Sequence, residues 1–408
     1  MILYKNISEL LTLAPAAKKS GRRIAEFDLG IVEDAALVAS GTRILWAGKL
    51  KEIPKKLLKG KRKSISLNGK VVMPGFVECH THSLFGGNRA HEFEMRNQGA
   101  TYQEIASKGG GILSTVRATR AASDRDLMVS LNKHVLEFVR QGVTTLEVKS
   151  GYGLNHKEEI RLLSLINKVK KIRVVSTYLG PHARSPEQPD FSLYIDEIIK
   201  KTLPEIKQKK LSRRVDIFVE HGYFSLELGE RYWQAAKSLE MDLVGHVEQL
   251  TATGAAVAAA KMNAVSVDHL VCLKDDEVGE IAGSETTCVL LPTADFYLKM
   301  AYPAARRLID AGARVALATD FNPGTSPSTD LSLVGVLARL NMKMTLPEII
   351  SAYTIGAAHA LRLADSVGSL EAGKSADFIV LENSWRELFY RVGKMPILST
   401  WSKNKRIY

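Results

Sequence analysis

The chain has 408 residues, 45% hydrophobic and 25% charged, enough for one large soluble α/β unit with a lesser partner and too many for a single small domain. Its net charge of +12 is gathered in residues 51–63, 200–214 and 403–406, where no aromatics are interleaved to stack bases, so nucleic acid is not an expected partner. No run approaches the roughly 18 apolar residues of a membrane span, no basic leader precedes an apolar core at the N-terminus, and three cysteines without a CxxC argue against a disulfide framework; a cytoplasmic protein with no membrane partner is expected.

From residue 1 to about 70, short β-like pieces at 35–38, 43–47 and 64–67, the last ahead of an Asn68–Gly69 turn, predict a small sheet. The C-terminus repeats the style, with 368–373 leading into ADFIVL at 376–381 and a basic strand near Ile407. Residues 1–70 and 365–408 are therefore expected to form one composite β domain around a catalytic unit at 71–364, with two unrelated extensions as the alternative.

The stretch VVMPGFVECHTHSLFGGN at 71–88 reads as an apolar strand ending on His80 and His82, which share a face because alternate side chains do. Cys79 then faces away, a buried thiol. A glycine-rich loop at 109–111 follows, then a helix with Ser123 and Asp126 as a capping box, Leu127, Leu131, Val135 and Val139 on one face, and Gly142 as the stop. Asn155 caps a helix carrying Leu162, Leu163, Ile166 and Val169, and residues 225–239 form another. Strands are expected at 143–148, 174–179, 215–219, 242–245, 264–267, 288–291 and 315–318, making eight with the first. Eight short apolar strands, most followed by a helical pattern, favour a (β/α)8 barrel; an open doubly wound sheet is the competitor, without the GxGxxG that usually marks it.

Polar residues gather where these strands end, the rim that carries catalytic groups in barrels. They are His80 and His82; Lys149, Ser150 and Tyr152; His182; Glu220 and His221; His246, Glu248 and Gln249; Asp268 and His269; Asp320 and Asn322. Six of the ten histidines are among them, leaving His91, His134, His156 and His359 as surface or structural residues. Imidazole and carboxylate suit zinc or iron, and His80, His82, His246 and Asp320 are the expected ligands, with His182 and His269 behind them or on the substrate.

HTH on the first strand, a histidine on the fifth, another on the sixth and an aspartate on the eighth resemble the amidohydrolase superfamily, a metal-bearing (β/α)8 TIM barrel with a small β-sandwich built from both termini. Within it, HTHSLFGGNRAHEFEMRNQGATYQEIASKGGGILSTVRATR, EVKSGYGL, TYLGPHA and ATDFNPGTSP are similar to the blocks of the imidazolonepropionase family. The resemblance implies hydrolysis of the ring C–N amide bond of 4-imidazolone-5-propanoate to N-formimidoyl-L-glutamate in histidine degradation, by a homodimer with one Zn or Fe ion per subunit. It places Arg89, Tyr102, Tyr152, His182, Gln249, Asn322, Gly324 and Thr325 around the small anionic substrate. Asp320 would take the nucleophile's proton, and His269 would hold the water or the developing oxyanion. Arg89 is the natural clamp for the propionate carboxylate, since guanidinium and carboxylate pair in two parallel hydrogen bonds.

The fourth strand lacks the lysine that some relatives carbamylate to bridge two metals, which supports a mononuclear site. Many relatives also place a glutamate three residues after the fifth-strand histidine; here that position is Gln249, with a carboxylate at Glu248. Either Glu248 points elsewhere and Gln249 binds substrate, or local geometry brings Glu248 in. Another cyclic amidase, an aminohydrolase acting on a heterocycle, and a barrel that has lost catalysis are the competing functions.

Overall fold

The computed structural model describes residues 1–59, 63–100, 104 and 109–408. The N-terminal strands are β1 (Ile2–Leu11), β2 (Ile31–Ser40), β3 (Arg43–Lys49) and β4 (Lys63–Pro74). Next come β5 (Phe76–Glu78), β6 (Val143–Lys149), β7 (Arg173–Tyr178), β8 (Arg214–Val215), β9 (Phe218–Val219), β10 (Asp242–Val247), β11 (Ser266–His269), β12 (Thr287–Leu290) and β13 (Arg314–Leu317). The chain closes with β14 (Phe378–Leu381), β15 (Ile397–Ser402) and β16 (Lys405–Arg406).

Both chain ends build one seven-stranded sheet, in the order β16-β15-β14-β4-β1-β2-β3. β1 and β4 are parallel and the other pairs antiparallel. Its core includes Tyr4, Leu37, Phe378 and Val380, with the Tyr4 ring edge-on to Phe378 and Trp401. Asn68–Gly69 is not the expected turn. Both residues have positive φ, and they lie inside β4 where its register with β1 shifts, so they form a bulge and the strand runs on.

The second sheet is a parallel barrel running from β5 through β13, with helices between most strands. β8 and β9 together hold the fourth position, both pairing with β10. The expected unbroken 215–219 strand is interrupted at Asp216, whose carboxylate accepts from the N–H of Ile217 at 2.8 Å. The 71–88 stretch is likewise shared between two sheets. Gly75 N donates to Asp377 O at 3.1 Å in the terminal sheet, while Phe76 N donates to Gly142 O at 2.9 Å in the barrel. The HTH segment therefore follows a short strand, and it closes the ring: Thr81 bridges Phe321, and His82 N donates to Phe321 O at 2.8 Å.

Barrel strands such as β6 and β10 are buried along their whole length, as expected of a parallel sheet covered by helices on its outside. Helix Asp124–Arg140 starts at Ser123, whose Oγ accepts from Asp126 N at 3.1 Å, and buries Leu127, Leu131, Val135 and Val139. The expected capping box closes differently: Ser123 Oγ donates to the Asp126 carboxylate at 2.7 Å. Asn155 caps helix His156–Ile166 as expected, and the helix expected over 225–239 spans Leu226–Ser238 with Ser225 as its cap. Among the described residues no helix is long and apolar enough to cross a membrane.

Candidate metal centre and active site

At the C-terminal mouth of the barrel, His80, His82 and His246 converge so that one ligand atom from each lies within 4.8 Å of the others. His82 Nε2 faces His246 Nε2 at 3.4 Å. Asp320 completes the group, its Oδ1 being 3.4 Å from His80 Nε2 and 3.3 Å from His82 Nε2. His80 Nε2 is buried without a hydrogen-bond partner, an arrangement that a cation between the rings would satisfy. Three imidazoles and a carboxylate form a donor set that suits zinc or iron, so the residues present fit a metal ion. Burial and neighbouring charges push the His80 and His82 imidazoles well below their ordinary pKa, which keeps them in the neutral form that ligates.

Of the carboxylates behind these rings, sequence reading placed Asp268 on the rim without its partner and missed Asp216. Asp268 Oδ2 lies 2.6 Å from His80 Nδ1 and Asp216 Oδ1 lies 3.1 Å from His246 Nδ1, fixing which nitrogen each imidazole turns inward. Burial pushes the Asp268 carboxyl up, against the pull of Lys149. Burial would raise Asp216 too, but His246 and Lys149 outweigh it and hold this carboxyl below the carboxylate range. Asp216 sits within an apolar strand, and that was the available signal: a carboxylate facing a barrel interior needs a partner.

A cavity of about 390 Å³ opens onto the histidines. Of the expected substrate residues, Arg89, Tyr152, His182, Gln249, Asn322 and Thr325 line it, as do His269 and Asp320. Tyr102 lies outside the described residues. Gly324 lies beside the cavity and matters as an absence of side chain: a Cβ there would sit 2.3 Å from the Arg89 guanidinium carbon. Arg89 Nε donates to Thr115 Oγ1 at 3.0 Å, which aims the guanidinium, and Thr115 was not anticipated from sequence. His182 stacks on His82 at 5.0 Å and its Nδ1 lies 3.0 Å from Gly151 O. Gly151 has φ +103°, and a Cβ would press on His182, so this glycine of the KSGYG block is required twice over. The buried Glu159 accepts from Gly151 N, Gly153 N and Leu154 N and thereby sets the whole loop.

The alternative between Glu248 and Gln249 has a clear geometric answer. Glu248 adopts φ +49°, turns away from the metal group, and accepts from Ala255 N and Ala256 N at 2.9 Å and from Thr253 Oγ1 at 2.9 Å. It caps helix Ala255–Lys261, leaving Gln249 on the cavity wall. Glu220, at the end of the fourth strand, is buried and engaged by Leu250 N and by Thr251, while His221 is exposed and outside the site. His134, expected to be merely structural, supports the HTH loop: its Nδ1 lies 2.8 Å from Ser83 O and its ring stacks on Phe85. Both nitrogens of His269 are without partners, and burial beside His246 pushes its pKa down to about 3, leaving a neutral imidazole facing the cavity. His269 and Asp320 both carry positive φ, +84° and +51°, the backbone strain that clusters at functional sites.

A barrel with three histidines and an aspartate at its mouth defines a metal-dependent hydrolase class, and the sequence profile of the amidohydrolase family matches residues 71–407. Similar solved structures include an adenosine deaminase from Xanthomonas campestris with bound zinc, at 16% identity and TM-score 0.73 over 99% of this chain and 92% of that one. An atrazine chlorohydrolase from Arthrobacter aurescens complexed with zinc gives 16% identity and TM-score 0.66 over 100% and 95%. At these identities the likeness shows the fold. Imidazolonepropionase of Bdellovibrio bacteriovorus is 51% identical over 408 residues, all of this chain and 96% of that protein, and imidazolonepropionase of Acinetobacter baumannii is 42% identical over 90% and 92%. The chain belongs to the amidohydrolase family and, within it, to the imidazolonepropionases.

Proposed function

We propose that the protein hydrolyses the ring C–N amide bond of 4-imidazolone-5-propanoate to N-formimidoyl-L-glutamate, using one zinc or iron ion held by His80, His82, His246 and Asp320. The observation that carries this reading is a cavity with that donor set at its floor and the Arg89 guanidinium on its wall. An ion bound there supplies Lewis-acid stabilisation and makes water a nucleophile near neutral pH.

The protein's own residues do the rest. Arg89, aimed by Thr115, clamps the propionate carboxylate and so fixes where the ring lies. Asp320, whose carboxyl burial pushes up, is suited to accept the proton of the attacking water and pass it to the departing ring nitrogen. His269, neutral and unpartnered, donates to the oxygen on which charge develops. Gln249 is an amide and cannot act as a base, so it binds the ring; Tyr152 and His182 frame it. Free thiols at Cys79, Cys272 and Cys288 suit a reducing compartment, and we place the reaction in the cytoplasm.

The test of the substrate reading is Arg89→Met. Loss of a charge-assisted pair of about 1.5–3 kcal/mol should lower kcat/KM roughly 10- to 150-fold, mostly through KM. An unchanged KM would remove Arg89 from the carboxylate site.

A further inference from the structure

Beneath the three histidines lies a fully buried charge cluster centred on Lys149, the last residue of β6. Its Nζ lies 2.9 Å from Glu147 Oε1, 2.8 Å from Asp216 Oδ2 and 3.9 Å from Asp268 Oδ2. Each of these carboxylates is also attached to the ligand set. Asp216 holds His246 Nδ1 and Asp268 holds His80 Nδ1. The other oxygen of Glu147 accepts from Thr81 N at 2.9 Å, and Thr81 is the residue between His80 and His82. Glu147 and Lys149 share a face of β6, while Asp216 comes from the gap between β8 and β9 and Asp268 from β11. One ammonium, within hydrogen-bond distance of Glu147 and Asp216 and in ion-pair range of Asp268, thus ties three strands to the segment that carries the first two histidines.

Three carboxylates this close repel one another once the ammonium between them is removed, and they move apart. An aspartate displaced from its imidazole no longer fixes the ring, which is then free to turn. Lys149 does not line the cavity, so its influence on the site runs through these carboxylates.

We propose that Lys149 is a positioning residue for the metal site: its ammonium holds Glu147, Asp216 and Asp268 in the places from which they turn His80 and His246 inward and anchor Thr81. The inference rests on the metal reading given above. A plainer role, neutralising buried charge so that the barrel folds, makes a different forecast. Taking away a nearby positive charge draws a cation in more tightly, whereas disordering its ligands loosens it.

The experiment is competition between the metal-stripped protein and a chromophoric chelator for zinc. Zinc uptake by the wild-type chain tests the metal reading alone; no uptake overturns both. Lys149→Met should bind zinc about 10- to 100-fold more weakly. The double variant Lys149→Met/Glu147→Gln removes one charge of each sign at nearly constant shape. It should remain about tenfold or more weaker, with an altered cobalt(II) d–d absorption band, because Asp216 has still lost its ammonium. Wild-type or tighter affinity in the double variant, folded by circular dichroism, overturns the proposal and leaves charge balance as the whole role. Should Lys149→Met fail to fold, the charge-balanced variant decides.

Discussion

Single side chains at this site are assigned less by type than by what their second atom touches. Glu248 and Gln249 are adjacent, and chemistry alone would make the carboxylate the base; geometry makes it a helix cap. Glu248→Gln leaves one helix N–H without its acceptor and should cost about 1–3 kcal/mol of stability with kcat nearly unchanged. Chemical denaturation alongside steady-state kinetics checks this, and a collapse of kcat in a stably folded variant would return Glu248 to the chemistry. Gln249→Ala should raise KM more than it lowers kcat; a large loss of kcat at constant KM would contradict its assignment as a binding group. His80, His82, His246 and Asp320 were readable from sequence because each ends an apolar run. Asp216, Thr115 and Glu159 were not, because a buried polar residue inside a strand or helix shows its purpose through its partner, and partners are set by how the strands register.

The elements divide into those that carry the site and those that close the barrel beneath it. The short helix Ala357–Ala360 belongs to the second kind, and its His359 lies near Arg314, Glu285, Lys374 and Asp365. Burial first, and Arg314 next, push His359 from 6.5 down to about 4. Because the folded value lies below the unfolded one, protonation favours the unfolded chain. Stability from this group is complete above about pH 6.5 and is lost as pH falls toward 4, by about 2–3 kcal/mol. His359→Gln should therefore flatten the fall in denaturation midpoint between pH 7 and pH 4.5; an equal fall in both proteins would contradict this. Secondary structure was largely legible: caps at Ser123 and Asn155 stand where the sequence puts them, and the helix expected over 225–239 spans Leu226–Ser238. Boundaries between sheets were not: Pro74–Gly75 passes the chain from one sheet to the other, whereas the apolar residues on both sides of it read as one strand.

At the scale of the molecule, the terminal sheet and the barrel meet in the 71–88 segment, which leaves the first at Pro74 and delivers two ligands at the mouth of the second. The barrel architecture was legible from eight spaced apolar strands, while the interrupted fourth strand depends on an inward aspartate that spacing does not reveal. Among the described residues, the net charge of +12 is represented on the cavity wall by Arg89. The central claim is one catalytic ion per chain in the His80, His82, His246 and Asp320 group. Its most direct test is turnover of 4-imidazolone-5-propanoate by metal-free protein as zinc or iron(II) is added back. Activity should rise in proportion to added metal and level off at one ion per chain; full turnover without metal, or a break at two ions, would contradict the account.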